Sequence, residues 1–267
     1  MRALRLIAAC AAVAILAPMV GAQDSQRDDS FKWSSGIDAG RTVFVRNLNG
    51  GIHMESATGA TAEVRAEKRW RRGDPKDVKV TAEKTARGDI LVCVIYVNRN
   101  TRCDEEGYDV RGGDRDWGNR NDVSVEVTVF LPKGVKTDAS TVNGALTIAG
   151  ASADVKVRTV NGGIDAASTS GPVSAKSVNG SIRVRAGTVG AGPVEYETVN
   201  GSITLELPAA LNANVELSTV NGSVTSDDFP ITVVGRIDRR HLRGTIGKGG
   251  PDMKVSTVNG SIRLRKN

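Results

Sequence analysis

Aromatic residues make up only 4% of the 267-residue chain, histidine occurs twice and cysteine three times. So few stacking side chains argue against a nucleic-acid binder, whose bases need aromatic platforms. The two histidines sit in Ile52-His53-Met54 and Arg240-His241-Leu242, with no metal-ligand spacing and no partner cysteine, so each reads as structural. No G-x-S-x-G elbow, H-E-x-x-H pair or P-loop is present, which removes the common hydrolase, zinc-protease and nucleotide motifs. Past the first apolar run, nothing approaches the ~20 apolar residues of a membrane-spanning helix, and nothing recurs with a 3.6-residue period. The mature chain is therefore expected to be all-β, without a membrane span, a cofactor or a nucleic-acid partner.

The chain opens with Met1-Arg2-Ala3-Leu4-Arg5, an apolar run over 6–20, and Val20-Gly21-Ala22 ahead of Gln23-Asp24-Ser25. A basic start, a short apolar stretch and a small-residue end make a secretory signal peptide over 1–22. Cleavage after Ala22 is favoured over a lipoprotein box at Ile7-Ala8-Ala9-Cys10, which would leave too little apolar chain before it. The expected location is the periplasm or the cell surface. Losing Arg2 and Arg5 lowers the formal charge from +6 to +4, which suits peripheral contact with an anionic membrane or glycan. Cys93 and Cys103 remain. They form either a disulfide, permitted by an oxidising compartment, or two thiols, with Cys93 inside the apolar run 90–97.

What the chain has in quantity is one motif. Ser177-Val178-Asn179-Gly180-Ser181-Ile182 has near-copies around Asn49, Asn143, Asn161, Asn200, Asn221 and Asn259, with steps from Asn143 of 18, 18, 21, 21 and 38 residues. Such a period marks a repeat architecture. Counting from each Asn, apolar residues fall at −6 and −4, as in Val173 and Ala175, and at +3 and +5, as in Ile182 and Val184. Each repeat thus predicts two short strands with one apolar face either side of an Asn-Gly corner. The 38-residue step contains Leu242-Arg243-Gly244-Thr245-Ile246, which reads as a worn copy, as does Ala86-Arg87-Gly88-Asp89-Ile90. As a corner, Arg87-Gly88-Asp89 needs no receptor-binding purpose. The −1 valine, as at Val199, is expected in the core.

Two folds share this local pattern. In an antiparallel meander or sandwich, Asn-Gly is the favoured two-residue turn because both positions need φ > 0. In a single-stranded parallel β-solenoid, or β-helix, of ~18–22-residue coils, each corner lies above the one before it. A turn constrains Asn and Gly alone, whereas here Thr or Ser recurs at −2, Val at −1 and Gly, Ala or Ser at +2. Stacked identical amides hydrogen-bond one another and reward such identity, so the solenoid is favoured. Phe31, Trp33 and Phe44 read as an aromatic N-terminal cap. The leader and start of the cap span 23–40. A single solenoid domain covers 41–267, irregular with a loop insertion at 61–130 and regular over 135–267.

A signal peptide, an aromatic extended leader and serial T/S-V-N-G-x-I units ending in Val258-Asn259-Gly260-Ser261-Ile262 make the chain resemble the bacterial putative-adhesin family of exported β-solenoid domains. The resemblance spans roughly residues 40–267 and implies a parallel β-solenoid at the cell envelope. It supplies no catalytic residues, and the chain departs from its pattern at 61–130.

The candidate sites lie outside the corners. Asp104, Asp109, Asp114 and Asp116, in a loop that runs from 104 to 122, could supply calcium oxygens, although Arg102, Arg111, Arg115 and Arg120 offset their charge and the alternative is a solvated loop. Arg236, Arg239, Arg240, Arg243 and Lys248 are candidates for anionic lipid or polysaccharide, against an equal reading as a solvated insertion. Asn179, Asn200, Asn221 and Asn259 also spell N-x-S acceptors, but glycans on adjacent coils would crowd. The outward −3 and +4 columns vary in residue type, which excludes a periodic binding lattice there. The leading expectation is a non-enzymatic envelope scaffold, adhesin-like, for an envelope protein or polysaccharide. The alternative is a carbohydrate-active β-helix enzyme, lyase- or hydrolase-like, acting on anionic glycans.

Overall fold

Each repeat places β-branched and other apolar residues at alternate positions on either side of its Asn-Gly step, and each folds as two strands joined there. The computed structural model describes residues 30–97, 100–111, 121–226, 228–233 and 238–267. The signal-peptide and leader readings over 1–29 fall outside them.

An edge strand β1 (Ser30–Gly36) precedes the first coil, β2 (Thr42–Arg46) and β3 (Ile52–Ser56). An interruption follows: β4 (Thr61–Arg69), β5 (Val78–Lys84), β6 (Ile90–Tyr96), β7 (Asn100–Cys103), β8 (Tyr108–Arg111) and β9 (Ser124–Leu131). Then come β10 (Lys136–Asn143) with β11 (Leu146–Ala151), and β12 (Val155–Asn161) with β13 (Ile164–Ser168). Next are β14 (Val173–Lys176) with β15 (Ile182–Ala186), and β16 (Val194–Asn200) with β17 (Ile203–Leu207). Last are β18 (Ala213–Asn221), β19 (Val224–Thr225), β20 (Ile231–Val233), β21 (His241–Ile246), β22 (Asp252–Asn259) and β23 (Ile262–Lys266).

Strands before the corners build an eleven-stranded sheet, β20-β21-β18-β22-β16-β14-β12-β10-β2-β6-β5. Strands after the corners build a ten-stranded one, β1-β4-β9-β3-β11-β13-β15-β17-β23-β19. Successive repeats pair in parallel, in register from corner to corner, so the fold is a parallel β-solenoid rather than a meander. Each coil contributes two strands, and the −6, −4, +3 and +5 residues fill the core between the sheets. Antiparallel strands close both ends: β4 on β9, β1 on β4 and β5 on β6 at one, β21 on β18 and β20 on β21 at the other.

The corner contacts explain the motif residue by residue. No corner asparagine has positive φ, so the step is not the hairpin turn that Asn-Gly favours elsewhere. In the series 49, 143, 161, 179, 200, 259, 221, each Asn after the first donates its side-chain amide to the side-chain oxygen of the Asn before it at 2.7–2.8 Å. The −2 hydroxyl is buried and donates to the neighbouring corner glycine's carbonyl, as Thr198 does to Gly180 at 2.8 Å. Glycine is required because a Cβ at Gly180 would overlap the backbone carbonyl of Gly162 in the coil beneath.

Four expectations are corrected. First, the coils do not stack in chain order: β22 lies between β16 and β18, pairing in parallel with both, and β23 likewise lies between β17 and β19. Second, neither worn copy is a corner. Gly244 lies inside β21, which runs antiparallel to β18, and Arg87-Gly88-Asp89 is the turn of the antiparallel β5–β6 hairpin, Gly88 having φ +85°. Third, the −1 valines are not core residues: Val160, Val178 and Val258 are each 38% exposed and Val220 56%, while Val142 and Val199 are half-buried. Strand alternation continues through −4 and −2, so −1 falls on the outer side. Fourth, Phe31 and Trp33 pack against the core at the N-terminal end, but Phe44 alternates with buried Val43 and Val45 and faces out.

Candidate functional site

Outward residues three and five positions before the corner asparagines line a groove of about 920 Å³ across the eleven-stranded sheet. It crosses β12, β14, β16, β22, β18 and β21, roughly 24 Å at ~4.8 Å per strand. Along the −5 column the side chains run, in spatial order, Asp138, Lys156, Ser174, Glu195, Lys254 and Glu216, with Arg243 beside Glu216 on β21. Wherever a charge occurs, its sign alternates with the next. Chain order alone would have set Glu195 beside Glu216, a repulsive pair; the inserted coil puts Lys254 between them.

The middle of the groove is paired. Lys176 lies 2.6 Å from Glu195 and 3.2 Å from Glu197, and Lys254 lies 3.9 Å from Glu195. The hydrogen bond from Lys176 holds the Glu195 carboxyl below its ordinary pKa, and the same contact raises that of Lys176. Lys156 near one end and Glu216 and Arg243 near the other make no ion pair among the described residues. Ser174, Asn214 and Thr245 add neutral donors and acceptors, and no aromatic side chain among the described residues lines the groove. The surface can hold an extended polar ligand by charge and hydrogen bonds, but it cannot stack a sugar ring.

The expected basic group is not one patch. The Arg240 carbonyl accepts from the Thr219 amide, whereas the Lys248 amide donates to Asn212. Arg239 and Arg240 therefore lie near the corner end of β18 and Lys248 at its other end, with Arg243 between them in the groove. Arg236 lies outside the described residues.

The calcium candidates are not gathered either. The Asp104 carboxylate accepts from Arg102 at 2.6 Å and from the Gly107 amide at 2.8 Å, and the Arg102 contact lowers its pKa. Asp109 is on β8, in register with Arg102. Among the described residues no three His, Cys, Asp or Glu side chains come together as metal ligands. Asp114 and Asp116, with Arg115 and Arg120, lie outside the described residues. His53 is exposed and pairs with Glu55 at 2.7 Å, and His241 is exposed on β21.

Instead, the β7–β8 hairpin is fastened over the outer face of β2 and β6. A disulfide joins Cys103 to Cys93, with Cα atoms 6.2 Å apart. Beneath it Arg46, 1% exposed, donates to the Asp138 carboxylate at 2.8 Å and to the carbonyl of Glu105 at 2.6 Å. Arg46 is a −3 residue that reading along the chain passes over. Its partner Asp138 is 92 residues away and becomes its neighbour only when β10 stacks on β2.

A family model described as Toastrack DUF4097 matches residues 43–265, so the chain belongs to that family. Among solved structures, a putative cell adhesion protein from Clostridium sporogenes ATCC 15579 is similar at 13% identity and a TM-score of 0.46, over 89% of this chain and 100% of that one. A putative adhesin from Bacteroides fragilis NCTC 9343 is similar at 9% identity and a TM-score of 0.37, over 90% of this chain and 98% of that one. Among curated proteins, none matches.

Proposed function

We propose that this Toastrack chain is an exported, non-enzymatic scaffold of the cell envelope that holds an anionic polysaccharide along the groove of its eleven-stranded sheet. The observation that carries the proposal is the groove itself. Lys156 and Arg243 present uncommitted positive charge near opposite ends of a surface several coils long, with hydrogen-bonding side chains between them. An uronate-type chain offers carboxylates to those cations and hydroxyls to Glu216, Asn214 and Ser174. The missing aromatic platform disfavours neutral glycans, which depend on ring stacking. The Cys93–Cys103 disulfide suits an oxidising compartment, in keeping with a signal peptide over 1–22.

Titration of the disulfide-intact chain with polygalacturonate and with neutral dextran tests this. Polygalacturonate should bind, more weakly as salt rises, and Lys156→Glu combined with Arg243→Glu should weaken it at least tenfold. Equal binding of dextran, or binding indifferent to the two substitutions, contradicts the proposal. New reducing ends or unsaturated uronate products would replace it with the carbohydrate-active enzyme.

A further inference from the structure

The coil built from β22 and β23 follows β18–β21 in the chain but precedes them in space. Its pre-corner strand is bonded to β16 along one edge (Val194 with Met253 through Asn200 with Asn259) and to β18 along the other (Val215 with Met253 through Asn221 with Asn259). Its post-corner strand bridges β17 and β19 in the same way. Met253, Val255, Ile262 and Leu264 bring it a complete share of the core, each 1% exposed or less. Take this coil away and the unit from β18 to β21 keeps no strand pairing to β16 or β17. What remains is a slot one coil wide, walled by two open parallel edges.

Among the described residues the coil is thus the strand-paired link between the β18–β21 unit and the coils before it. Its tether is Gly247-Lys248-Gly249-Gly250-Pro251, with Gly247 at φ +61° and Gly249 at φ +77°, conformations that glycine leaves at little cost. The slot selects its occupant by several matches at once. These are the corner register, a glycine where Cβ would overlap the next coil, and Lys254 between Glu195 and Glu216. Segment 252–266 meets all of them, and every copy of the chain carries one.

We propose that this slot is a strand-acceptor site for a second copy, so that two chains assemble by exchanging their 252–266 coils. Exchange reproduces the strand pairing of the coil, while the tether changes course and gives up its own bonds to Asn212 and Asn214. Intramolecular docking competes through its high effective concentration, so the exchanged form grows with protein concentration and becomes important where chains are crowded.

The experiment uses disulfide-intact chains in which Cys10 is replaced by serine, each carrying one added cysteine. Ser218 on β18 and Ser256 on β22 are direct neighbours in the register, within disulfide reach across a parallel pair. Ser174 on β14 is separated from β22 by β16. Ser218→Cys and Ser256→Cys chains are unfolded together, refolded over a range of concentrations and oxidised. The expected result is a disulfide-linked heterodimer whose yield rises with concentration and clearly exceeds that from Ser174→Cys with Ser256→Cys. Equal yields from the two mixtures mean collision alone and overturn the proposal, as does a heterodimer absent at every concentration. Ser218→Cys and Ser256→Cys in one chain must link internally at low concentration; failure there removes the coil order on which the proposal rests.

Discussion

The coils from β10 to β17 and, apart from the β7–β8 hairpin, the interruption from β4 to β9 are built into the same two sheets, yet only the coils repeat a sequence. In the coils, each residue meets its own counterpart above and below. The amide ladder, the −2 hydroxyl on the glycine carbonyl and the missing Cβ are contacts between copies, and a change in one copy is felt by both neighbours. In the interruption, strands pair with unlike partners, antiparallel among themselves and parallel where β6 and β9 meet β2 and β3, so nothing enforces identity. That region is held by individual fastenings, chiefly Arg46 and the Cys93–Cys103 disulfide. Repetition in this chain records stacking, and specificity is left to positions that do not repeat.

That contrast can be broken first at glycine. Gly180→Ala puts a Cβ against the backbone of the next coil and should cost about 3 kcal/mol, at the upper end of overpacking. Gly107→Ala, in open space within the β7–β8 turn, should stay within about 0.5 kcal/mol in the same denaturant titration. Comparable losses at the two sites would erase the distinction.

The second effect belongs to the interruption. Replacing Cys93 and Cys103 together by serine should lower stability by about 2–3 kcal/mol, since the bridge closes a short loop. Amide hydrogen exchange should then rise in β7 and β8 while the ladder coils stay protected, because no repeat contact involves that hairpin. Exchange spreading evenly through the coils would show that the hairpin is part of the array.

Thr198→Val comes next, at about 1–2 kcal/mol by thermal melting, because it leaves the Gly180 carbonyl without its hydroxyl donor. Smallest is Val178→Thr, within about 0.5 kcal/mol, since the −1 side chain faces water. Val184→Thr, only six positions further but in the core, should cost more than 1 kcal/mol. Equal losses at 178 and 184 would return the −1 column to the interior.

The two-strand repeat was legible because its apolar residues obey a period of two on both sides of the corner, and Val173, Ala175, Ile182 and Val184 around Asn179 are all buried. The parallel stacking was legible because identity extends beyond what a turn needs. The order of the coils was not, because the 252–266 coil carries the same corner as the others. The signal that places it was in the sequence all the same: Glu195, Lys254 and Glu216 alternate only when that coil is inserted. The groove was hidden for the same reason, since its columns look irregular until the coils are put in spatial order. Arg46 escaped notice because its partners, Asp138 and Glu105, are both far away in the chain.

The account rests on a division of labour between corners that build and a groove that binds. Polygalacturonate affinity measured side by side for the wild-type chain, for Asn179→Ala and for Lys156→Glu with Arg243→Glu tests it most directly, each variant first being shown to melt cooperatively. The predicted result is affinity kept within twofold in Asn179→Ala and reduced at least tenfold in the groove variant. Affinity lost with the corner asparagine and kept in the groove variant would contradict it.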